Sequence, residues 1–264
     1  MKIITLLTDF GTQDGYPAIM KGIIWSIAPG THIADISHEV PPQDVAAGAR
    51  LLERAAPFFP PGTVHIGVVD PGVGTGRRPI AAQLGQQFFV GPDNGLVTML
   101  LDRTQRQNQA VEVVALDQPR YWLPVVSNTF HGRDIFAPVG AALVNGVSLS
   151  SLGSNVVDPQ RLDLPGFHRT AQGWRGEVVH IDHFGNLATN LPADVITTSG
   201  KVSVHAAGKV IPRLSTTFGE GEPGDLIAVI DSSNLLSIAV VNGNAQECTG
   251  AKLGEPVEVI QQPA

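Results

Sequence analysis

The sequence predicts two domains: an N-terminal α/β domain on a mostly parallel sheet, and a small all-β, barrel-like C-terminal domain. Three observations predict it. Residues 1 to about 150 alternate short apolar runs with stretches of helical spacing, and repeated β-α-β units imply a helix-covered, mostly parallel sheet. Residues 155–173, with Pro159, Pro165 and Gly166, are turn-rich and lack periodicity. From Trp174 onward only strand-length pieces occur, separated by Gly, Asn and Pro turns. The boundaries are therefore drawn at 1–160 for the α/β domain, 161–173 for a linker and 174–264 for the β-barrel domain.

In order, 2–8 is an apolar strand, and 18–28 carries Ile19, Met20, Ile23, Ile24 and Ile27 at helical spacing. A strand at 31–36 precedes a helix at 41–56, with Pro42 suiting a first turn and Val45, Ala49 and Leu52 on one stripe. Strands follow at 63–69 and 87–90, a helix at 94–102, a strand at 111–115 and a helix around 134–145. The second half offers strands at 176–181, 201–206, 226–230, 235–241 and 256–260. No internal repeat relates the halves.

Of the 264 residues, 43% are apolar and 16% charged, the composition of a globular chain and not of a disordered one. A net charge of -7 with no basic run argues against a nucleic-acid backbone as partner and for a small ligand. A lone cysteine, Cys248, allows no internal disulfide or metal–thiolate site and fits a reducing compartment. No apolar run is long enough for a membrane span, and Asp9 interrupts the N-terminal one, so a soluble, cytoplasmic protein with no membrane partner is expected.

Several strands are followed at once by an acidic residue: Asp9, Asp70 and Asp93. In a parallel sheet these share the carboxyl edge, where open α/β folds bind ligands. One such Asp alone reads as a helix cap or Asx-turn; several on one edge point to a site. Asp9 and Asp14 flank a glycine turn, Asp9 being placed to accept hydrogen bonds from a diol such as ribose. The loop Val69-Asp70-Pro71-Gly72-Val73-Gly74-Thr75-Gly76-Arg77-Arg78 lets backbone approach a ligand closely, yet lacks the Gly-Lys-Ser/Thr ending of a P-loop. Asp70 and Arg77 read equally as an ordinary ion pair. His131 and Asp134 sit just before a helix. His180 and His183 hint at metal, without further ligands nearby.

Together these segments resemble the S-adenosylmethionine (SAM) hydrolase (adenosine-forming) family, also described as SAM hydroxide adenosyltransferases, relatives of the 5′-fluorinase and chlorinase. The resemblance runs through Thr8-Asp9-Phe10-Gly11-Thr12-Gln13-Asp14, Asp35-Ile36-Ser37-His38-Glu39, Val69-Asp70-Pro71-Gly72-Val73-Gly74-Thr75, Gly91-Pro92-Asp93-Asn94-Gly95, Thr129-Phe130-His131-Gly132-Arg133-Asp134 and Phe184-Gly185-Asn186-Leu187. It implies an α/β domain followed by a β-barrel, and a homotrimer whose sites lie between one subunit's N-domain and a neighbour's C-domain.

The resemblance also implies roles. Asp9 would hold the ribose hydroxyls and Asp14 the methionine end. Asp182, Phe184 and Asn186 would meet the methionine and adenine portions, and Ser232 and Ser233 look like the methionine-binding turn. There the usual Ser-Ser-Gly is Ser-Ser-Asn, and Asn234 tolerates positive φ. Pro17 replaces an apolar residue and suits a first helical turn. The water-activating set maps onto Asp70, Arg77 and His131. Halogenating relatives have Tyr in place of Asp70 and a small hydroxyl residue in place of Gly132, so water is the expected nucleophile.

The chemistry expected is hydrolysis of SAM to adenosine and L-methionine by water attacking ribose C5′, with SAM as substrate, no cofactor and no metal. Methionine leaves as a neutral thioether and needs no acid. Water, with a pKa of about 15.7, needs activation: Arg77 would stabilise developing hydroxide, while Asp70 and His131 orient the water and accept its proton. The alternatives are a halogenase-like substitution, a non-catalytic adenosyl-ligand sensor, and a metal-dependent hydrolase using Asp9, Asp70, Asp93 and His131.

Overall fold

A computed structural model describes residues 1–196 and 201–262. The chain divides into two compact units, Met1–Asp163 and Leu164–Ala264. Unit 1 contains β1 (Ile3–Thr8), α1 (Tyr16–Ile27), β2 (His32–Ser37), α2 (Val45–Ala55), β3 (Val64–Val68), β4 (Pro79–Leu84), β5 (Gln87–Pro92), α3 (Thr98–Arg106), β6 (Val111–Ala115) and α4 (Ala137–Val144). Its six strands run in the order β2-β1-β3-β5-β4-β6. Alternate strand residues feed two cores. Ile4, Leu6, Ile66 and Val90 meet α1 and α4 on one face, while Leu7, Ile80, Ala82 and Phe89 meet α2 and α3 on the other. Each fully buried large side chain contributes about 1.5–3 kcal/mol, so the sheet is the rigid layer from which the loops are hung.

The expectation of a mostly parallel sheet is met only in part: the sheet is mixed. β2, β1, β3 and β5 pair in parallel, but β4 runs antiparallel to both β5 and β6. A parallel return needs a crossover of a dozen or more residues, usually helical. The glycine loop between Val68 and Pro79 holds no helix, so the chain turns back directly into β4, a strand that the sequence reading passed over.

Helix starts differ for local reasons. Pro17 is buried in the first turn of α1, after Gly15 in the left-handed region. The helix read from 41 begins at Val45, because Asp44 Oδ1 accepts from Ala47 N at 2.8 Å and caps it. The helix read from 94 begins at Thr98, since Asn94 bonds Leu96 N and Val69 O instead and Gly95 has φ 92°. The helix read from 134 is preceded by a π-helical turn, Gly132–Phe136.

Unit 2 contains β7 (His168–Arg169), β8 (Gly173–Ile181), β9 (Leu187–Pro192), β10 (Lys201–Ala206), β11 (Lys209–Ile211), β12 (Leu214–Ser215), β13 (Leu226–Ile230), β14 (Leu235–Val240), α5 (Ala245–Thr249) and β15 (Pro256–Gln262). The sheet runs β11-β10-β15-β8-β9-β14-β13-β12 with β7 on β8, and its two ends come back into contact, β12 near β10 and β11 near β13. It is a nearly closed barrel around Val178, Leu187, Val204, Ile238 and Val257. The expectation of an all-β unit is corrected by α5, a short helix capped by Asn244. Among the described residues, no helix is long and apolar enough to cross a membrane.

His65 on β3 is fully buried, with Nδ1 2.8 Å from Thr5 Oγ1 and Nε2 without a partner among the described residues. Burial pushes its imidazole from 6.5 down to about 4, against a smaller opposing effect of Gln87. The fold therefore holds the neutral ring, and the unfolded chain takes up the proton first. Its stabilisation is whole above pH ~6.5 and is lost as pH falls towards 4, a loss of about 3 kcal/mol. Urea unfolding at pH 7 and pH 4.5 is expected to show a smaller acid loss in His65→Leu than in wild type; equal losses contradict this assignment.

Candidate active site

Because β1, β2, β3 and β5 are parallel, Asp9, His38, Asp70 and Asp93 follow their carboxyl ends along one edge of the sheet. The reversal of β4 keeps the glycine loop, and with it Arg77 and Arg78, at that same edge. Within the loop Val73 N donates to Asp70 O and Thr75 N to Gly72 O, folding it into consecutive turns. Gly74 has φ 75°, and a Cβ on it would collide with the carbonyl oxygen of Asn128. Only glycine lets this loop lie against the 127–131 segment.

That contact brings three sequence-distant side chains together. Arg77 Nε donates to Asp70 Oδ1 at 2.9 Å and Oδ2 at 3.1 Å, and Arg77 Nη2 pairs with Asp70 Oδ2 in a shorter contact. Nη2 also lies 2.9 Å from His131 Nδ1. The side chains of Asp70 and Arg77 are only 4% and 9% exposed, so this is not a solvated surface pair. Arg77 also lies over the Phe136 ring, and its Nη1 is buried with no acceptor among the described residues.

Guanidinium is a donor only. His131 Nδ1 must therefore accept, and the neutral ring carries its proton on Nε2. Burial, followed by the positive charge of Arg77, holds His131 below its ordinary 6.5, against the opposing Asp70 and Asp134. The segment bearing it is fixed by Asp134, fully buried, whose Oδ2 accepts from Ser127 N at 2.8 Å and whose Oδ1 takes Arg133 Nε at 2.6 Å. Burial alone would raise the Asp134 carboxyl, but Arg133 and Ser127 outweigh it and hold it low. Asp134 is a scaffold.

Asp9 accepts from Gln43 N at 2.8 Å through Oδ2, and Asp14 is exposed at the far end of the same loop. Phe10, Tyr16 and Phe130 meet edge to face with centroids 5.2–5.9 Å apart, next to Asp9 and His131. Gly132 lies beneath them, where a Cβ would be 3.2 Å from Phe130 and 3.3 Å from Met20. Asp93 is occupied elsewhere: Arg78 binds it at 2.7 Å, and Gln160 N donates to its other oxygen at 2.7 Å. Sequence reasoning missed this clamp and the aromatic trio; Arg78 beside Arg77, and aromatics flanking Asp9 and His131, were the available signals.

In unit 2, Asp182 organises the β8–β9 turn. Its Oδ1 accepts from Phe184 N and Asn186 N, both at 2.9 Å, and its Oδ2 from Asn186 Nδ2 at 2.8 Å. The turn presents Phe184, 72% exposed, with His183 edge-on at 5.7 Å. Ser232 and Ser233 lie in the β13–β14 turn, which Asp231 Oδ1 holds through Ser233 N at 2.7 Å, and Asn234 there has φ 62°. β9 and β14 are antiparallel, so the two turns stand at opposite ends of β9, on the order of 17 Å apart at ~3.4 Å per residue. Among the described residues no three His, Cys, Asp or Glu side chains converge as a metal cluster, at His180 and His183 or elsewhere.

The SAM hydroxide adenosyltransferase N-terminal domain matches residues 4–153, and the C-terminal domain of the same family matches residues 176–258. The chain belongs to the SAM hydroxide adenosyltransferase family. A Thermus thermophilus relative named (R)-S-adenosyl-L-methionine hydrolase is 40% identical over 270 residues, covering 98% of this chain and 100% of that protein. An Actinopolyspora mzabensis fluorinase is 29% identical over 273 residues, covering 90% of each. The crystal structure of an uncharacterized conserved protein from Thermotoga maritima superposes with a TM-score of 0.89 at 34% identity, over 98% of this chain and 100% of that one. Within this SAM hydroxide adenosyltransferase scaffold, Asp70, Arg77 and His131 are in mutual contact through Arg77, whereas Asp9 and Asp14 lie along the neighbouring loop.

The tautomer is directly measurable. Long-range ¹H–¹⁵N spectra at pH 7 are expected to show His131 protonated at Nε2 and bare at Nδ1, with a titration midpoint below 6.5, assigned by loss of the signal in His131→Gln. A protonated Nδ1 or a midpoint above 6.5 contradicts the geometry.

Proposed function

We propose that this protein is a hydrolase that converts SAM to adenosine and L-methionine by attack of an activated water on ribose C5′. The observation that carries the reading is Arg77, which touches both Asp70 and His131 and keeps a buried Nη1 donor with no acceptor among the described residues. A water oxygen satisfies that donor, and the fixed positive charge stabilises the hydroxide that develops on it. With Nδ1 engaged by Arg77, His131 holds the guanidinium and offers an Nε2 proton, which leaves Asp70 as the proton acceptor. This reassigns the proton that the sequence reading divided between Asp70 and His131. Thioether departure needs no acid, and the chemistry draws on no cofactor or metal. A halide in place of water would meet the Asp70 carboxylate, an unfavourable anion–anion approach.

Asp9 takes the ribose diol and Asp14 the methionine end. Phe184 stacks on adenine, with Asn186 and Asp182 shaping that turn, and Ser232 and Ser233 bind the methionine end. The separation of the two turns along β9 favours a long ligand with a purine at one end and an amino acid at the other. The nucleophile set lies in unit 1 and these turns in unit 2. We therefore adopt the arrangement that the family resemblance implies, a cytoplasmic homotrimer in which neighbouring copies complete each site. The name of the Thermus relative specifies the (R) sulfonium, the epimer in which methyl and lone pair on sulfur are exchanged, and we extend that preference to this chain.

EDTA-treated protein is expected to release adenosine and methionine from (R)-SAM faster than from (S)-SAM, and to elute as a trimer by light scattering. Asp70→Asn and His131→Ala are each expected to lower kcat by about 10²–10⁴-fold while adenosine binding changes little. Asp9→Ala is expected to weaken binding first. Full turnover in either of the first two variants, or binding of SAM with no turnover in wild type, overturns the assignment.

A further inference from the structure

The end of β2 and the residues just after it, Asp35-Ile36-Ser37-His38-Glu39, have no part in the chemistry above, yet they are bound tightly to the loop that carries Asp9. His38, 6% exposed, places Nδ1 2.8 Å from Thr8 Oγ1, and that hydroxyl also accepts from Phe10 N at 3.2 Å. The hydroxyl has one donor and two acceptor sites, and Phe10 N takes one of the latter, so the direction of the Thr8–His38 bond is set by the His38 tautomer. On its other side His38 Nε2 lies 3.1 Å from Asp35 Oδ1, a polar contact off the line of a well-aligned hydrogen bond, and Asp35 Oδ2 is held by Lys21 Nζ at 2.6 Å. Carboxylate is an acceptor only, so the His38 nitrogen facing Asp35 bears the proton. Burial opposes the charged form of Asp35, but Lys21 and His38 outweigh it and keep the carboxyl below its ordinary value.

Further bonds run between the same two segments. Gly11 N donates to His38 O at 2.8 Å, Val40 N to Thr8 O at 3.4 Å, and Thr12 Oγ1 to Glu39 Oε1 at 3.3 Å. Gln43, a non-glycine residue at φ 65°, turns its N–H onto Asp9 Oδ2 at 2.8 Å. A side chain in the left-handed region is uncommon and persists where its surroundings demand it. Here it anchors one carboxylate oxygen of Asp9, and among the described residues Gln43 is the donor that reaches that carboxylate. The other oxygen is left for a ligand.

We propose that Asp35 and His38 are positioning residues for ribose recognition, acting through the Thr8 hydroxyl to hold Asp9 in the orientation that receives the two ribose hydroxyls. This rests on the reading of Asp9 as the ribose-binding carboxylate. Removing the Thr8 hydroxyl deletes the bonds to His38 Nδ1 and Phe10 N, so the loss is expected to fall on ligands that use the diol.

The test compares dissociation constants of adenosine and 2′,3′-dideoxyadenosine, which lacks the diol, for the full-length wild type, Thr8→Val, Thr8→Ser, Asp35→Ala and Asp9→Asn. Thr8→Val and Asp35→Ala are each expected to weaken adenosine by about tenfold and dideoxyadenosine by less than about twofold, with Thr8→Ser restoring adenosine binding. If Asp9→Asn discriminates between the two nucleosides and neither Thr8→Val nor Asp35→Ala does, the positioning role is overturned and the ribose reading stands. If Asp9→Asn does not discriminate, the ribose reading falls and the proposal with it. Equal weakening of both nucleosides in Thr8→Val and Asp35→Ala indicates general damage and also overturns it. Should Thr8→Val fail to fold, Asp35→Ala, whose side chain is 39% exposed, carries the comparison.

Discussion

A buried guanidinium needs acceptors around it, and Arg77 finds them on two loops. Its ion pair with Asp70 lies within one glycine-rich turn, while its bond to His131 crosses to the segment preceding α4. Leaving a buried charge without its partner costs about 3–5 kcal/mol, so the two loops are locked wherever Arg77 stays. The same bond fixes the His131 tautomer, because guanidinium only donates. Position, protonation and electrostatic field are thus set by one side chain, and Gly74 supplies the close backbone approach that makes the contact possible.

Strand direction decides where that side chain can be. A helical crossover after β3 would have carried the chain to the opposite edge of the sheet before the next strand began. The direct reversal into β4 instead leaves residues 70–78 at the edge where β1, β2 and β5 also end. Asp9, and the end of β2 that is bonded to its loop, are then neighbours of Asp70 and Arg77 through strand order alone. Asp93 shares the edge but is committed to Arg78 and Gln160, where it ties residues 158–160 to the sheet.

Much of this was legible in the sequence because apolar periodicity is local. The alternation of strand and helix in unit 1, the change to mainly strands in unit 2 and the placement of acids after strands all follow from short-range pattern. The antiparallel β4 was not legible: Pro79-Ile80-Ala81-Ala82-Gln83-Leu84 alternates weakly and follows a loop that reads as a ligand-binding turn. Helix starts were misplaced where a side chain competed for backbone, as with Asp44 and Asn94. An Asp70–Arg77 ion pair was open to the sequence, but spacing alone gave no sign that His131 would join it; family resemblance singled out all three, and tertiary packing brings them together. The pairing of His38 with Thr8 was equally invisible, since it joins adjacent strands through side chains whose direction only the register reveals.

The central claim is that water, activated by the group around Arg77, attacks the ribose carbon. Its most direct test is turnover of SAM in ¹⁸O-water with mass analysis of the adenosine formed. The account predicts ¹⁸O in the 5′-hydroxyl and none in methionine. Unlabelled adenosine, or label incorporated anywhere but the 5′ oxygen, would contradict it.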